Sequence, residues 1–388
     1  MTRLWDTLWC RRKMVLFLFL AELLNYLRYS RAYHRFNRLR INRHTRQQTT
    51  DTVQCLLRNT PETIERLRAL PMARHITSPE SLVTAMHAGE YEDGPETTRD
   101  TMTVGRSRLH WCYRPLVIDL LHEMVFRVGG MYMRATGYGV HTYPTETGDY
   151  TIWTLVIPGT RPIVFFPGAG AGAVPYHRVL RKLRRTVHIV VCPNLGSVHM
   201  TDPGFFTPDS LYDTVRRHLR GAGHDVLAHS LGTSMAACYA NQQYLRGSEE
   251  AGQAVVLCDG FSGPFDTFVS HIYPFATVSM YEAICTPATP YSRFLSVVVG
   301  LIYNLHLTAF TKRFHNIVDC TFWRPDYLAN IHYVYGERDL LFDVPFIGGT
   351  GEQVHVLPRT GHGGCFFGRQ EAVQTIGRML CRNEPCDE

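Results

Sequence analysis

The sequence has little of several features that would assign it to other protein classes. Its 11 cysteines stand singly, with neither a C-x-x-C pair nor the spacing of metal ligands, so no disulfide framework and no metal site is predicted. It has no Asn-x-Ser/Thr sequon, which favours a domain that faces the cytosol. Only 19% of residues are charged, and 20 Phe and 20 Tyr are present. We therefore expect extensive burial or contact with an apolar partner.

The N-terminus also lacks an apolar run of the length that a membrane-spanning helix needs. The run from Met14 to Leu27 contains Glu22 and Asn25 and falls short of roughly 20 apolar residues. No small-x-small cleavage site follows it, which argues against a cleaved signal peptide. We expect a signal-anchor transmembrane helix or, equally, an interfacial helix with basic side chains at the lipid headgroups. An ordinary amphipathic helix that docks on the rest of the chain is the alternative.

The formal charge of +6 is distributed unevenly. Because the basic block flanks an apolar segment, an anionic membrane surface is favoured over nucleic acid as its partner. We therefore predict a membrane-associating segment at residues 1–46 and no nucleic-acid partner. The basic residues of this block are Arg11, Arg12, Lys13, Arg28, Arg31, Arg35, Arg38, Arg40, Arg43 and Arg46.

Residues 47–137 show helical periodicity and carry no motif that we can attach to chemistry. An apolar helix is predicted from Leu116 to Met131, ending near Gly129-Gly130. This region is expected to be a helical extension that packs on the following domain or on a membrane.

From about residue 138 the pattern changes to short apolar runs that alternate with helical stretches, which predicts an α/β domain over residues 138–388 with a mostly parallel sheet. An apolar insertion at about residues 262–325 interrupts the repeat, and Phe294 to Phe310 contains no charged residue. We interpret it as a lid that contacts apolar substrate or membrane. Strands are predicted at 151–157, 162–166, 187–192, 225–228, 254–258, 331–335 and 353–357, and helices at 208–220 and 369–381.

A serine stands between a predicted strand and a predicted helix, in Ala228-His229-Ser230-Leu231-Gly232. A strand-to-helix turn of this kind projects the hydroxyl above the sheet and needs small neighbours. The segment resembles the G-x-S-x-G nucleophile elbow of the α/β-hydrolase family, with Ala228 at the first glycine position. The likeness covers roughly residues 138–381. It implies an eight-stranded sheet, a cap after the sixth strand, and neither a metal nor an organic cofactor.

A serine nucleophile needs an imidazole base, which in turn needs a carboxylate to orient it. Downstream, Asp339 lies in a G-x-x-D turn after a strand, and His362 lies in a glycine-bracketed loop after the last strand. Their order matches that of the family, Ser, acid, His. We predict Ser230 as nucleophile, His362 as base and Asp339 as acid. Asp259, after the preceding strand, is the alternative acid.

The resemblance also implies donors for an oxyanion. In the family these are the N–H of the residue after the nucleophile and one N–H from the loop after the third strand. The matching positions are Leu231 and, in the glycine-rich loop of residues 167–172, Ala169 or Gly168. A phosphate-binding role of that loop is disfavoured, since the P-loop ending and the dinucleotide spacing are both missing.

These features predict a serine hydrolase, membrane-associated with its catalytic domain in the cytosol, that cleaves carboxylic esters through an acyl-enzyme. The apolar insertion and the N-terminus favour a lipid-like substrate. An acyltransferase, a peptidase and a non-catalytic binding protein of the same fold are the alternatives.

Overall fold

The architecture was taken from a computed structural model. The residues that it describes are 2–38, 46–59, 64–65, 68, 76–86, 115–146, 148–168, 172–192, 207–248, 253–260, 317–320, 331–337, 353–367 and 370–380.

An eight-stranded sheet forms the centre of the molecule. Its strands are β1 (Gly139–Tyr143), β2 (Tyr150–Leu155), β3 (Ile163–Phe166), β4 (Val187–Val191), β5 (Asp225–His229), β6 (Val255–Cys258), β7 (Ile331–Gly336) and β8 (Val354–Leu357). Their order in the sheet is β1-β2-β4-β3-β5-β6-β7-β8. β2 pairs antiparallel with both β1 and β4, and all other neighbours are parallel. The predicted eight-stranded, mostly parallel sheet is confirmed.

Both faces of the sheet are buried, which explains why its inner strands are continuous apolar runs rather than alternating ones. In β3, Val164 and Phe166 belong to one core cluster, whereas Ile163 and Phe165 belong to the other. All four side chains are fully buried. The sheet therefore separates two hydrophobic cores.

Helices cover the two cores. The flanking helices of the described part are α5 (His177–Lys182), preceded by a 3-10 turn (Val174–Tyr176), α6 (Pro208–Leu219), α7 (Gly232–Leu245), α8 (Ile317–Cys320), α9 (Gly364–Phe367) and α10 (Gln370–Leu380). α6 and α7 pack on the first core through residues such as Leu211 and Met235, and α5 and α10 pack on the second through residues such as Leu180 and Ile376.

In the part of the chain that the structure describes, four helices precede the sheet: α1 (Thr2–Arg38), α2 (Arg46–Asn59), α3 (Pro79–Met86) and α4 (Leu116–Ala135). α1 and α4 are joined by polar contacts, because the Tyr29 hydroxyl donates to the Asp119 carboxylate and the Leu116 N–H donates to Glu22. Within the described part of the chain, no helix is both long and apolar enough to cross a bilayer. The transmembrane alternative for the Met14 to Leu27 run is thus not supported.

Most predicted elements agree with the structure to within one or two residues. One exception is α4, which continues through Gly129 and Gly130 and ends at Ala135, four residues beyond the predicted end at Met131. There are two others. β1 was not predicted because its side chains are mostly exposed and carry no apolar signal. The insertion at about 262–325 lies outside the described residues, apart from α8.

A buried ion pair fixes the amino end of β5. Arg185 Nη2 lies 2.5 Å from Asp225 Oδ2, and both side chains are almost fully buried. Arg185 also donates to the carbonyl oxygens of Arg161 and Leu380, which connects the sheet to the end of α10. The opposite, carboxyl ends of β5 and β8 lead to Ser230 and to the loop that carries His362.

Candidate active site

Ser230 occupies a strained turn between β5 and α7. Its φ of 51° lies in the left-handed region, which non-glycine residues adopt rarely. The turn is fixed from both sides, since the Ser230 N–H donates to the Cys258 carbonyl and the Ser230 carbonyl accepts from the Thr233 N–H and hydroxyl. Strain of this kind, held by surrounding bonds, is typical of a functional position.

Gly232 allows this turn to approach the end of β3. A Cβ at this position would lie 2.1 Å from the Phe166 carbonyl oxygen and 2.6 Å from that of Pro167. Both contacts are with backbone, which cannot move without disturbing the sheet. The glycine two residues after Ser230 is therefore required by packing, as the elbow motif predicts.

The loop after β8 brings His362 to Ser230. His362 Nε2 lies 3.0 Å from Ser230 Oγ, although the two residues are 132 positions apart in the chain. This distance is within the range at which an imidazole removes a proton from a hydroxyl.

Asp259 holds the loop that carries His362. Its side chain is fully buried at the end of β6. Oδ2 accepts the Gly363 N–H at 2.7 Å, and Oδ1 accepts the Gly336 N–H at 2.9 Å. The Cys365 thiol also donates to Oδ2, at 3.4 Å. One carboxylate thus joins the ends of β6 and β7 to the residue that follows His362.

A second buried network lies beneath the serine. The Gly168 N–H donates to the Tyr176 hydroxyl at 3.0 Å, and that hydroxyl lies 2.9 Å from His229 Nδ1. Since the hydroxyl can donate its own proton to Nδ1, the His229 proton is assigned to Nε2, which lies 3.9 Å from Asp259 Oδ2. Burial, and then the neighbouring His362, lower the pKa of His229 well below its ordinary value. His229 is therefore a neutral residue of the core.

Comparisons with known proteins identify the family of the chain. A family model described as "Alpha/beta hydrolase family" matches residues 163–374, more than half of the chain. The chain belongs to the alpha/beta hydrolase family. A comparison with curated protein sequences finds no match.

Several solved structures are similar to this hydrolase at low identity. They include carboxylesterase CesB from Bacillus subtilis (12% identity, 69% of this chain and 99% of that one, TM-score 0.46). The Cif epoxide hydrolase from Acinetobacter nosocomialis is similar too (15% identity, 68% and 96%, TM-score 0.47). A bacterial membrane phospholipase A gives 14% identity, coverage of 69% and 97%, and a TM-score of 0.45.

The predicted site residues of this hydrolase are only partly within the described structure. Ser230 and His362 are brought together, and Leu231 lies at the N-cap of α7, where backbone N–H groups have no partner within the helix. Gly168 lies beside Ser230, but its N–H already donates to Tyr176. Asp339 and Ala169 lie outside the described residues.

The alternative acid, Asp259, is close to the site but is directed at backbone groups. The contacts of its two oxygens include the N–H groups of Gly336 and Gly363, the Cys365 thiol and, at 3.9 Å, His229 Nε2. This geometry favours an anchoring role for the loop over a direct role on the imidazole.

One group of side chains in the described part of the hydrolase could come close enough to share a metal ion. It consists of His229, Asp259 and Cys365, whose ligand atoms lie within 4.8 Å of one another. The Asp259 oxygens are occupied by N–H donors, and burial raises the pKa of the Cys365 thiol well above its ordinary value. A metal ion would have to displace the backbone N–H donors from the Asp259 oxygens and remove the thiol proton that Cys365 donates to Oδ2, so these contacts do not fit a metal site.

Sequence reasoning did not identify Tyr176 as a residue of the site. Its hydroxyl joins the glycine-rich loop to β5 through Gly168 and His229. No motif marks it, because the contact spans 53 residues and depends on the packing of the 3-10 turn.

Proposed function

We propose that this hydrolase cleaves carboxylic esters of lipid-like molecules, with Ser230 as nucleophile and His362 as general base. The observation that carries the proposal is the 3.0 Å separation between Ser230 Oγ and His362 Nε2. The left-handed backbone of Ser230, with a φ of 51°, holds the hydroxyl above the sheet. A serine with an adjacent imidazole is the arrangement that activates a hydroxyl for acyl transfer.

The reaction proceeds in two halves. His362 takes the proton of Ser230 as Oγ forms a bond to the ester carbonyl carbon, and the carbonyl oxygen becomes an oxyanion. Collapse of this intermediate breaks the bond to the alcohol oxygen, which leaves with the proton from His362. Water then attacks the acyl-enzyme by the same proton transfers, releasing the carboxylic acid and restoring Ser230.

Two further groups complete the proposed machinery. Asp339 is the acid that orients His362, since it follows β7 in the G-x-x-D turn and the Asp259 oxygens already accept backbone N–H groups. Leu231 and Ala169 donate N–H groups to the oxyanion, because the Gly168 N–H is engaged by Tyr176.

A fluorophosphonate probe tests the nucleophile. The wild-type chain is expected to be labelled, and Ser230→Ala is expected not to be. Ser234→Ala is a matched control, because Ser234 is a fully buried serine one turn along α7. A folded wild-type chain that remains unlabelled would contradict the proposal and favour a non-catalytic binding protein.

Substrate class is tested separately with p-nitrophenyl esters of increasing acyl length. A rate that rises with chain length supports a lipid-like ester. Transfer of the acyl group to added glycerol, in preference to water, would identify an acyltransferase instead, and cleavage of amides at comparable rates would identify a peptidase.

A further inference from the structure

The outer face of α4 is apolar and exposed, which is the reverse of an ordinary surface helix. The outward residues recur at helical spacing, three or four positions apart, and their exposed fractions run from 49% to 63%. They form what we call the α4 stripe: Val117, Leu120, Leu121, Met124, Val125, Val128 and Met131.

The neighbouring helix α1 adds a second apolar surface. Every residue from Met14 to Leu20 is between 47% and 70% exposed, so no other described segment of the chain covers this part of α1. The Tyr29–Asp119 and Glu22–Leu116 contacts hold α1 against α4. Two adjacent helices therefore present large apolar side chains to the outside. Their number far exceeds that of the scattered apolar side chains that a monomeric protein normally exposes.

The positive charge of the N-terminal segment indicates what kind of partner binds this surface. Residues 11–46 contain ten Arg or Lys residues and a single acidic one, Glu22. A basic segment next to an exposed apolar helix matches an anionic lipid surface, with headgroups facing the cations and acyl chains facing the apolar side chains. The run from Met14 to Leu27 is about 21 Å long as a helix, shorter than the roughly 30 Å hydrocarbon core, so it fits an orientation within the interface.

The inner face of α4 contacts the loop beside Ser230. A Cβ on Gly172 would lie 2.7 Å from Phe126 Cε1, and a Cβ on Gly129 would lie 2.7 Å from Val174 Cγ2. At its other end the same loop carries Gly168, where a Cβ would lie 3.2 Å from Ser230 Cβ. A single helix thus separates the exposed stripe from the proposed catalytic loop.

We propose that the α4 stripe and the apolar part of α1 together dock on an anionic membrane leaflet and set the glycine-rich loop next to the lipid. The access of a lipid ester to Ser230 rests on the proposed function, whereas membrane docking itself needs no catalysis. The ester of a membrane lipid would then reach Ser230 without crossing bulk water.

The test uses the full chain carrying Ser230→Ala, so that binding is measured without turnover. Cosedimentation with vesicles of phosphatidylcholine and phosphatidylserine in equal parts is compared with pure phosphatidylcholine. In this background Leu121→Asp and Val125→Asp are each expected to lower the vesicle partition coefficient at least about tenfold, because each removes one apolar side chain from the lipid. Leu245→Asp is the matched control, since Leu245 is 63% exposed at the far end of α7, and its binding is expected to remain unchanged.

Unchanged binding of a folded Leu121→Asp, Val125→Asp double variant would overturn the proposal. So would lipid-free oligomers that these substitutions dissociate, as measured by light scattering, since the stripe would then be an interface between copies of the chain. Fluorophosphonate labelling of the wild type is a separate readout, so loss of docking and loss of catalysis are distinguishable.

Discussion

The Asp259 carboxylate accepts the backbone N–H of Gly363, with 2.7 Å between Oδ2 and the nitrogen, and so holds the residue that follows His362. Its other oxygen accepts the Gly336 N–H at the end of β7. We propose that this buried carboxylate, which accepts two backbone N–H groups, positions the His362 imidazole through the loop.

Asp259→Asn is expected to weaken both stability and catalysis. The amide offers one acceptor oxygen to two N–H donors, so one buried N–H faces an NH2 group, at a cost of roughly 1.5–3 kcal/mol in the free energy of unfolding. Urea unfolding measures this loss, and the fluorophosphonate labelling rate reports the displaced His362.

Asp339→Asn provides the contrast, because an acid in contact with the imidazole sets its tautomer. We expect the labelling rate to fall by roughly 10⁴-fold with little change in urea stability. The opposite pattern, in which Asp259→Asn shows the larger catalytic loss at unchanged stability, would exchange the two roles.

The Ser230–His362 pair could be predicted from the sequence because the signals that mark both residues are local. The Ser230 elbow and the His362 loop are short segments whose glycines are required by close packing, as at Gly232. The Tyr176–His229 contact and the Asp259–Gly363 bond could not be predicted, since they join residues more than 50 positions apart through the tertiary fold.

The orientation of the apolar face of α4 shows a different limit of prediction from sequence. Its apolar periodicity predicted the helix correctly, but periodicity alone does not show whether an apolar stripe faces a protein core or the outside. In the structure, Met133 faces the core and Leu121 is exposed.

Gly232→Ala is expected to prevent correct folding of the elbow. The new methyl group would lie 2.1 Å from the Phe166 carbonyl oxygen, and neither backbone segment can yield without breaking the β3–β5 ladder. The yield of soluble protein and the thermal unfolding midpoint measure the effect.

Gly377→Ala is the matched control, since a Cβ there meets nothing within 4 Å and the residue lies within α10. It is expected to stabilise the protein by up to about 1 kcal/mol through helix propensity. Equal tolerance of both substitutions would contradict the close approach at Gly232.

Asp225→Asn is expected to cost roughly 3–5 kcal/mol in the free energy of unfolding, because it leaves the buried Arg185 guanidinium without its counter-charge. Asp209→Asn removes a carboxylate that is 55% exposed from an ion pair with Arg246, and is expected to cost less than about 1 kcal/mol. Urea unfolding of the two variants side by side measures the difference. Similar losses would show that the Arg185–Asp225 pair is not the anchor of β5.

Stability is also expected to fall in mild acid because of a histidine pair at the β2–β4 side of the sheet. His218 Nε2 lies 2.9 Å from His188 Nδ1, and the Tyr143 hydroxyl lies 2.7 Å from His218 Nδ1. Burial, followed by the neighbouring histidines His218, His224 and His141, lowers the pKa of His188 to about 3. Burial and then His141 lower the pKa of His218 to about 4.

The unfolded chain therefore binds more protons than the folded one between the ordinary histidine value of 6.5 and these lowered pKa values. The stability that the two neutral histidines contribute is fully present above pH 6.5 and is lost as the pH falls from 6.5 towards their lowered pKa values. His218→Gln is expected to flatten the pH dependence of urea unfolding between about pH 7.5 and about pH 5, since one of the two groups no longer titrates. Tyr143→Phe, which removes a hydrogen bond but no histidine, is expected to lower stability at both pH values and keep the slope. An unchanged slope in His218→Gln would exclude the pair as the source of the acid sensitivity.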